Sequence, residues 1–204
     1  MKEKFFALWE RIKAFGDPIL PWQLIETQYT ESHRAYHNLT HLASGWNDLN
    51  TVRSLLELPD RVEFAWFYHD FIYNPHSHRN EEDSALIAHE VATNARLPTT
   101  FGNDALLLIM ATKHTESAQQ RDAKFIVDID LSILGKSPQE FDAYERGIRS
   151  EYSWVDEATF REKRSEILQR FLHRPYIYHT PFFRQRYEQQ ARENLKRSIA
   201  QLRR

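Results

Sequence analysis

A chain of 204 residues with 41% hydrophobic content can bury one sizeable core and has no need of a second domain, so residues 1–204 are expected to form a single domain. Its 27 basic and 29 acidic residues are mixed along the chain to a formal net charge of −2, so no broad field selects nucleic acid or an acidic membrane, and an anionic ligand has to be caught by local groups. With no cysteine, the chain has no disulfide, thiolate nucleophile or cysteine-bound zinc or iron–sulfur centre, which leaves His, Asp and Glu as metal ligands.

The elements read as helices from end to end. Phe5, Leu8, Trp9, Ile12 and Phe15 recur at three- and four-residue spacing and predict an amphipathic helix over 3–15, stopped by Gly16 and Pro18. Charges scattered through that segment make it neither a signal peptide nor a membrane span, and the expected location is cytoplasmic. A second helix is expected after Pro21, followed by helices over 39–57, 60–73, 80–96, 103–116 and 122–134. Pro59, Asn74-Pro75, Leu97-Pro98 and Gly135 supply the stops, and Asn80 with Asp83 resembles a capping box. Three more helices are expected: Ser137 to Tyr152, Asp156 to His173 and Pro181 to Leu202. The last carries a basic face interleaved with Glu188 and Glu193; with Phe183, Tyr187, Ala191, Leu195 and Ile199 on its other side it reads as a docked amphipathic helix, not a nucleic-acid element. No segment sustains the alternation of a strand, and the fold class is all-α, a bundle of roughly ten helices.

Three clusters carry chemistry. His69-Asp70 sits in the apolar stretch EFAWFYHDFIY, where an imidazole and a carboxylate cost several kcal/mol unless paired, hydrogen-bonded or bound to a metal. His37 and His41 are four apart and share a face if both are helical; if Asn38 starts the helix, only His41 points into the bundle. Asp128 and Asp130, two apart among aliphatic residues, point roughly 200° away from each other on a helix, so at most one of them enters a given site.

In order along the chain, His41, His69-Asp70 and a late aspartate resemble the H…HD…D arrangement of the HD superfamily of metal-dependent phosphohydrolases. The likeness extends over roughly residues 34 to 152. It takes in a YHNxxH start (Tyr36, His37, Asn38, His41), an NExSA-like segment from Asn80 to Ala85, Thr112-Lys113-His114, and a DxDLxILG segment from Asp128 to Gly135. The YHNxxH start is also similar to that of cyclic-nucleotide phosphodiesterases. This resemblance implies an HD-type helical domain with its motifs within 34–135 and helices 137–204 packed on it. It implies a divalent ion (Mn, Fe, Co, Ni, Zn or Mg) held by His41, His69, Asp70 and Asp130, with Asp128 the fallback fourth ligand. His37, His114 and Glu81 are then the catalytic candidates, His37 as proton donor to the leaving oxygen, while Arg34 and Lys113 are candidates to bind substrate phosphate. The expected reaction is hydrolysis of a phosphate ester of a small molecule, a nucleotide or related phosphometabolite. A non-catalytic helical protein that binds a metal or ligand, and a di-iron oxygenase of HD type drawing on His89 or His114, are the alternatives.

Overall fold

A computed structural model describes residues 1–114 and 118–203. Among these residues there are ten α-helices, two short 3₁₀ segments and no strand, as the sequence predicts. No helix among them is long and apolar enough to cross a membrane. Backbone contacts group the chain into two compact units, Met1–Ile129 and Asp130–Arg204.

The first unit contains α1 (Lys2–Arg11), α2 (Ile19–Tyr29), α3 (Leu39–Val52), α4 (Pro59–Tyr68), α5 (Asn80–Asn94), α6 (Thr99–Ala111) and α7 (Arg121–Asp130), the final residue of α7 marking the boundary. α1 ends four residues before the predicted Phe15, because Lys13 takes a left-handed φ of 56° and its N–H bonds to Glu10 O while that of Ala14 bonds to Trp9 O. That is a Schellman stop made without glycine. α5 closes the same way at Arg96, with φ 56°. The expected Asn80–Asp83 capping box does not form: Asn80 is already inside the helix, and its side-chain amide pairs with the backbone of Asn74 at 3.0 Å in both directions. α6 begins at Thr99, directly behind Pro98, and ends at Ala111; of the predicted 103–116 span, residues 115 and 116 lie outside the described residues.

α4 forms the floor of the first unit. Pro59 occupies its first turn, where a missing N–H costs nothing, and Asp122 of α7 fixes its entry by accepting from Glu57 N and Leu58 N at 2.9 and 2.8 Å. Every residue from Val62 to Tyr68 is buried. Phe67 and Tyr68 pack on Phe5 of α1, while Glu63 is held by ion pairs to Arg11 and Arg53.

In the second unit a 3₁₀ segment, Leu131–Gly135, continues from α7 and is followed by α8 (Pro138–Glu151), α9 (Glu157–Leu172) and α10 (Pro181–Leu202). Ser137 and Glu140 form a reciprocal capping box, and Asp156 and Thr180 cap the next two helices. α10 buries Phe183, Tyr187, Ala191, Leu195 and Ile199, the apolar face read from its sequence. Asn194 on that face donates to Leu134 O and Lys136 O, both at 2.9 Å, which satisfies carbonyls that the 3₁₀ segment leaves open.

Candidate metal centre

The site starts at two helix ends. Asn38 is the N-cap of α3, its side chain accepting from Thr40 N at 2.8 Å, so His37 stays outside the helix and His41 enters its first turn, buried. α4 stops at Tyr68 instead of running to Tyr73; His69 caps it and Asp70 begins the turn that follows. The pair thus occupies the C-terminal end of a buried helix, where exposed carbonyls favour a nearby positive charge.

Both imidazoles are oriented by their Nδ1 atoms. His69 Nδ1 lies 2.8 Å from Trp66 O; a carbonyl only accepts, so Nδ1 carries a proton and Nε2 is the ring nitrogen left to face the site. The same ring stacks on Trp66 at 4.1 Å between centroids. His41 Nδ1 lies 3.1 Å from Tyr36 Oη, which leaves its Nε2 facing His69 Nε2 at 3.0 Å. Asp70 Oδ2 closes the triangle, 3.1 Å from His69 Nε2 and 3.5 Å from His41 Nε2. Asp70 Oδ2 is buried and accepts no well-formed hydrogen bond. Three atoms that are acceptors in their neutral or ionised ligand forms converge here, an arrangement that requires a shared proton or cation.

The triangle fits a metal. Ligands bound at about 2.0–2.2 Å lie roughly 3.0–3.5 Å apart at tetrahedral or octahedral angles, matching the three separations above. Asp130, the last residue of α7, supplies the late carboxylate: ligand atoms of His41, His69 and Asp130 all lie within 4.8 Å of one another. Asp128 is completely buried and does not join that group. Two nitrogens and carboxylate oxygens suit the borderline divalent ions. Burial raises the pKa of Asp70, but the charges of His69, then His37 and His41, more than reverse it and hold the carboxyl well below the usual carboxylate range.

The other expected site residues surround this group unequally. His37 stacks on Tyr73 at 4.2 Å and lies 5.9 Å from the His41 ring, beside the triangle and not in it. Glu81, in the first turn of α5, sits near enough to Asp70 to feel its charge; burial first, and then Asp70, raise its pKa, with Lys113 opposing. Lys113 is paired with Glu82 and also donates to His78 O at 3.0 Å. His114 is half-buried with a left-handed φ of 57°. Arg34 is buried and spends its donors on Glu31 and on backbone carbonyls. His89 lies against Gly102 between α5 and α6, outside the metal-binding group.

Sequence reasoning assigned no role to Tyr36, Trp66 or Tyr29, which orient His41, His69 and Asp70; Tyr29 Oη accepts from Asp70 N at 3.2 Å. The i, i+3 spacing of Trp66 and His69 was a usable signal, since a helix-terminal imidazole can reach back to that carbonyl. Nothing local marks Tyr29, 41 residues from its partner. No family model matches the chain, and no curated protein or solved structure matches it.

Proposed function

We propose that the chain is a metal-dependent phosphohydrolase of the HD type that cleaves a phosphate ester of a small molecule, a nucleotide or related phosphometabolite, in the cytoplasm. The observation that carries this reading is the convergence of His41 Nε2, His69 Nε2 and Asp70 Oδ2 within 3.5 Å, each imidazole fixed through its other nitrogen. Asp130 shares a group with the two histidines, their ligand atoms within 4.8 Å of one another, and together with Asp70 it would make a two-histidine, two-carboxylate set. A divalent ion bound there lowers the pKa of coordinated water and offsets phosphate charge. Around it, Asp70 stays ionised across the physiological range, and Tyr36 and Trp66 keep the histidine lone pairs aimed inward. In this reading His37, whose ring stacks on Tyr73, holds a proton for a leaving oxygen. Glu81, its pKa raised by burial, is the carboxyl best suited to exchange a proton.

The test is elemental analysis of the purified protein, followed by phosphate release from a panel of nucleotides and sugar phosphates with Mn, Fe, Co, Ni, Zn or Mg. Stoichiometric metal together with release by at least one ion is expected. Metal without release under any condition would replace the enzyme by a metal- or ligand-binding protein. An absorbance from two bound irons would redirect the reading to oxygenase chemistry.

A further inference from the structure

We propose that Arg34 is the positioning residue of the metal centre, tying the His37 loop to the His69–Asp70 turn through a planar fork of hydrogen bonds; this role rests on the metal-site reading above. Its side chain is fully buried, with the guanidinium over the rings of Tyr29 and Tyr73 at 5.1 and 5.5 Å. Nε donates to Glu31 at 3.0 Å. Nη1 donates to Asp70 O at 2.6 Å and His37 O at 3.3 Å, and Nη2 to Phe71 O at 2.8 Å. Four of five donors are therefore directed at the protein itself, which leaves little for a substrate phosphate, the role expected from sequence.

The need for such a residue follows from where α4 ends. The turn after Tyr68 carries carbonyls with no helical partner, and the helix dipole concentrates negative charge there. A guanidinium is the side chain able to serve carbonyls of three residues at once in a fixed plane, and burial against two aromatic faces holds that plane. Asp70 is fixed from both sides as a result, its C=O by Arg34 and its N–H by Tyr29. The same fork reaches His37 O, so the loop carrying the proposed proton donor and the turn carrying the proposed ligand share one anchor.

The test compares Arg34→Lys and Arg34→Gln with the unaltered chain, titrating Mn²⁺ by calorimetry well below each melting temperature, with helical content followed by circular dichroism. Both variants should remain helical and bind Mn²⁺ about 10–100-fold more weakly, the range for groups that orient metal ligands. Lysine keeps the charge beside Glu31 but not the fork, so it is the variant least prone to misfolding and the more telling. Full affinity in Arg34→Lys would overturn the proposal while leaving the metal site standing, because it would reduce the role to charge. A lower melting temperature with unchanged Mn²⁺ affinity would also overturn it, showing Arg34 to be structural only. If the unaltered chain itself takes up no Mn²⁺, nor any other divalent ion, the metal-site reading fails and this proposal with it. Inorganic phosphate titrated into the Mn²⁺-loaded proteins gives the remaining arm: loss of phosphate binding with metal binding intact would return Arg34 to the substrate.

Discussion

His37 and His41 stand four residues apart and take up different positions because one N-cap separates them. Asn38 turns the chain so that His41 faces His69, while His37 lies against Tyr73. Their alanine variants should differ accordingly. His41→Ala should empty the site of metal, as should Asp70→Ala, with helical content retained in both. His37→Ala should keep the metal and lose about 10²–10⁴-fold in turnover if its imidazole is the general acid. Equal metal loss in the two histidine variants would make His37 a ligand and require a second ion. The late aspartates separate in the same way: Asp130→Asn should weaken metal binding far more than Asp128→Asn, measured by competition with a chelator, and the reverse order would transfer the ligand role to Asp128. Sequence pattern left these two open, since each has an apolar row beside it; in the structure it is Asp130, at the helix end, whose carboxylate lies within 4.8 Å of the histidine nitrogens.

At the scale of elements, the approach of α3 to α4 depends on Gly45. A Cβ there would fall far inside van der Waals contact with the indole of Trp66, the ring on which His69 stacks and whose carbonyl holds His69 Nδ1. On an exposed helix Gly→Ala stabilises by about 1 kcal/mol. Gly45→Ala should do the opposite, destabilising by about 1–3 kcal/mol in chemical denaturation as the indole is displaced, and it should weaken metal binding without touching a ligand. An unchanged midpoint would show that Trp66 can give way freely. Helix existence and order were legible throughout, because period and punctuation agree locally, as at Pro98 before α6 and Ser137 before α8. The stop of α4 was not. Phe71, Ile72 and Tyr73 continue its apolar run, and the groups that end it come from elsewhere: Arg34 on the carbonyls of Asp70 and Phe71, Tyr29 on Asp70 N, and Ser84 on Ile72 N. Those partners lie 12 to 41 residues away, beyond the reach of a periodicity argument. The same distance hid Tyr29 and the Arg34 fork, whereas Tyr36 and Trp66 lie within five residues of the histidines they orient, and the candidate ligands stood out because their order along the chain forms a pattern.

For the whole molecule, a metal held by His41, His69 and Asp70 would link binding to stability, because these residues are brought together only when α3 and α4 are folded. A ligand that binds the folded chain alone stabilises it by RT ln(1 + [L]/Kd), about 2.7 kcal/mol at a hundredfold excess over Kd. At this chain length that corresponds to a rise of roughly 5–10 °C in melting temperature, and Asp70→Ala should remove it. The pH dependence has two parts of opposite sign. Without metal, the depressed pKa of Asp70 contributes stability that is fully present above the ordinary aspartate value of about 3.9 and is lost as pH falls below it. Glu81, whose pKa is raised, contributes stability at low pH that is lost as pH rises from the ordinary glutamate value of about 4.3 through its own. The metal contribution falls on acidification, because both imidazoles must shed the proton on Nε2 to ligate. The gap between melting temperatures with and without Mn²⁺ should therefore be wide at pH 7.5 and should narrow at pH 5. Hydrogen exchange should show the metal-dependent protection concentrated in α3, the end of α4 and the turn at Asp70. A gap that stays constant across this pH range would mean that the stabilising ion is bound by carboxylates alone, and that the histidine triangle is not its site.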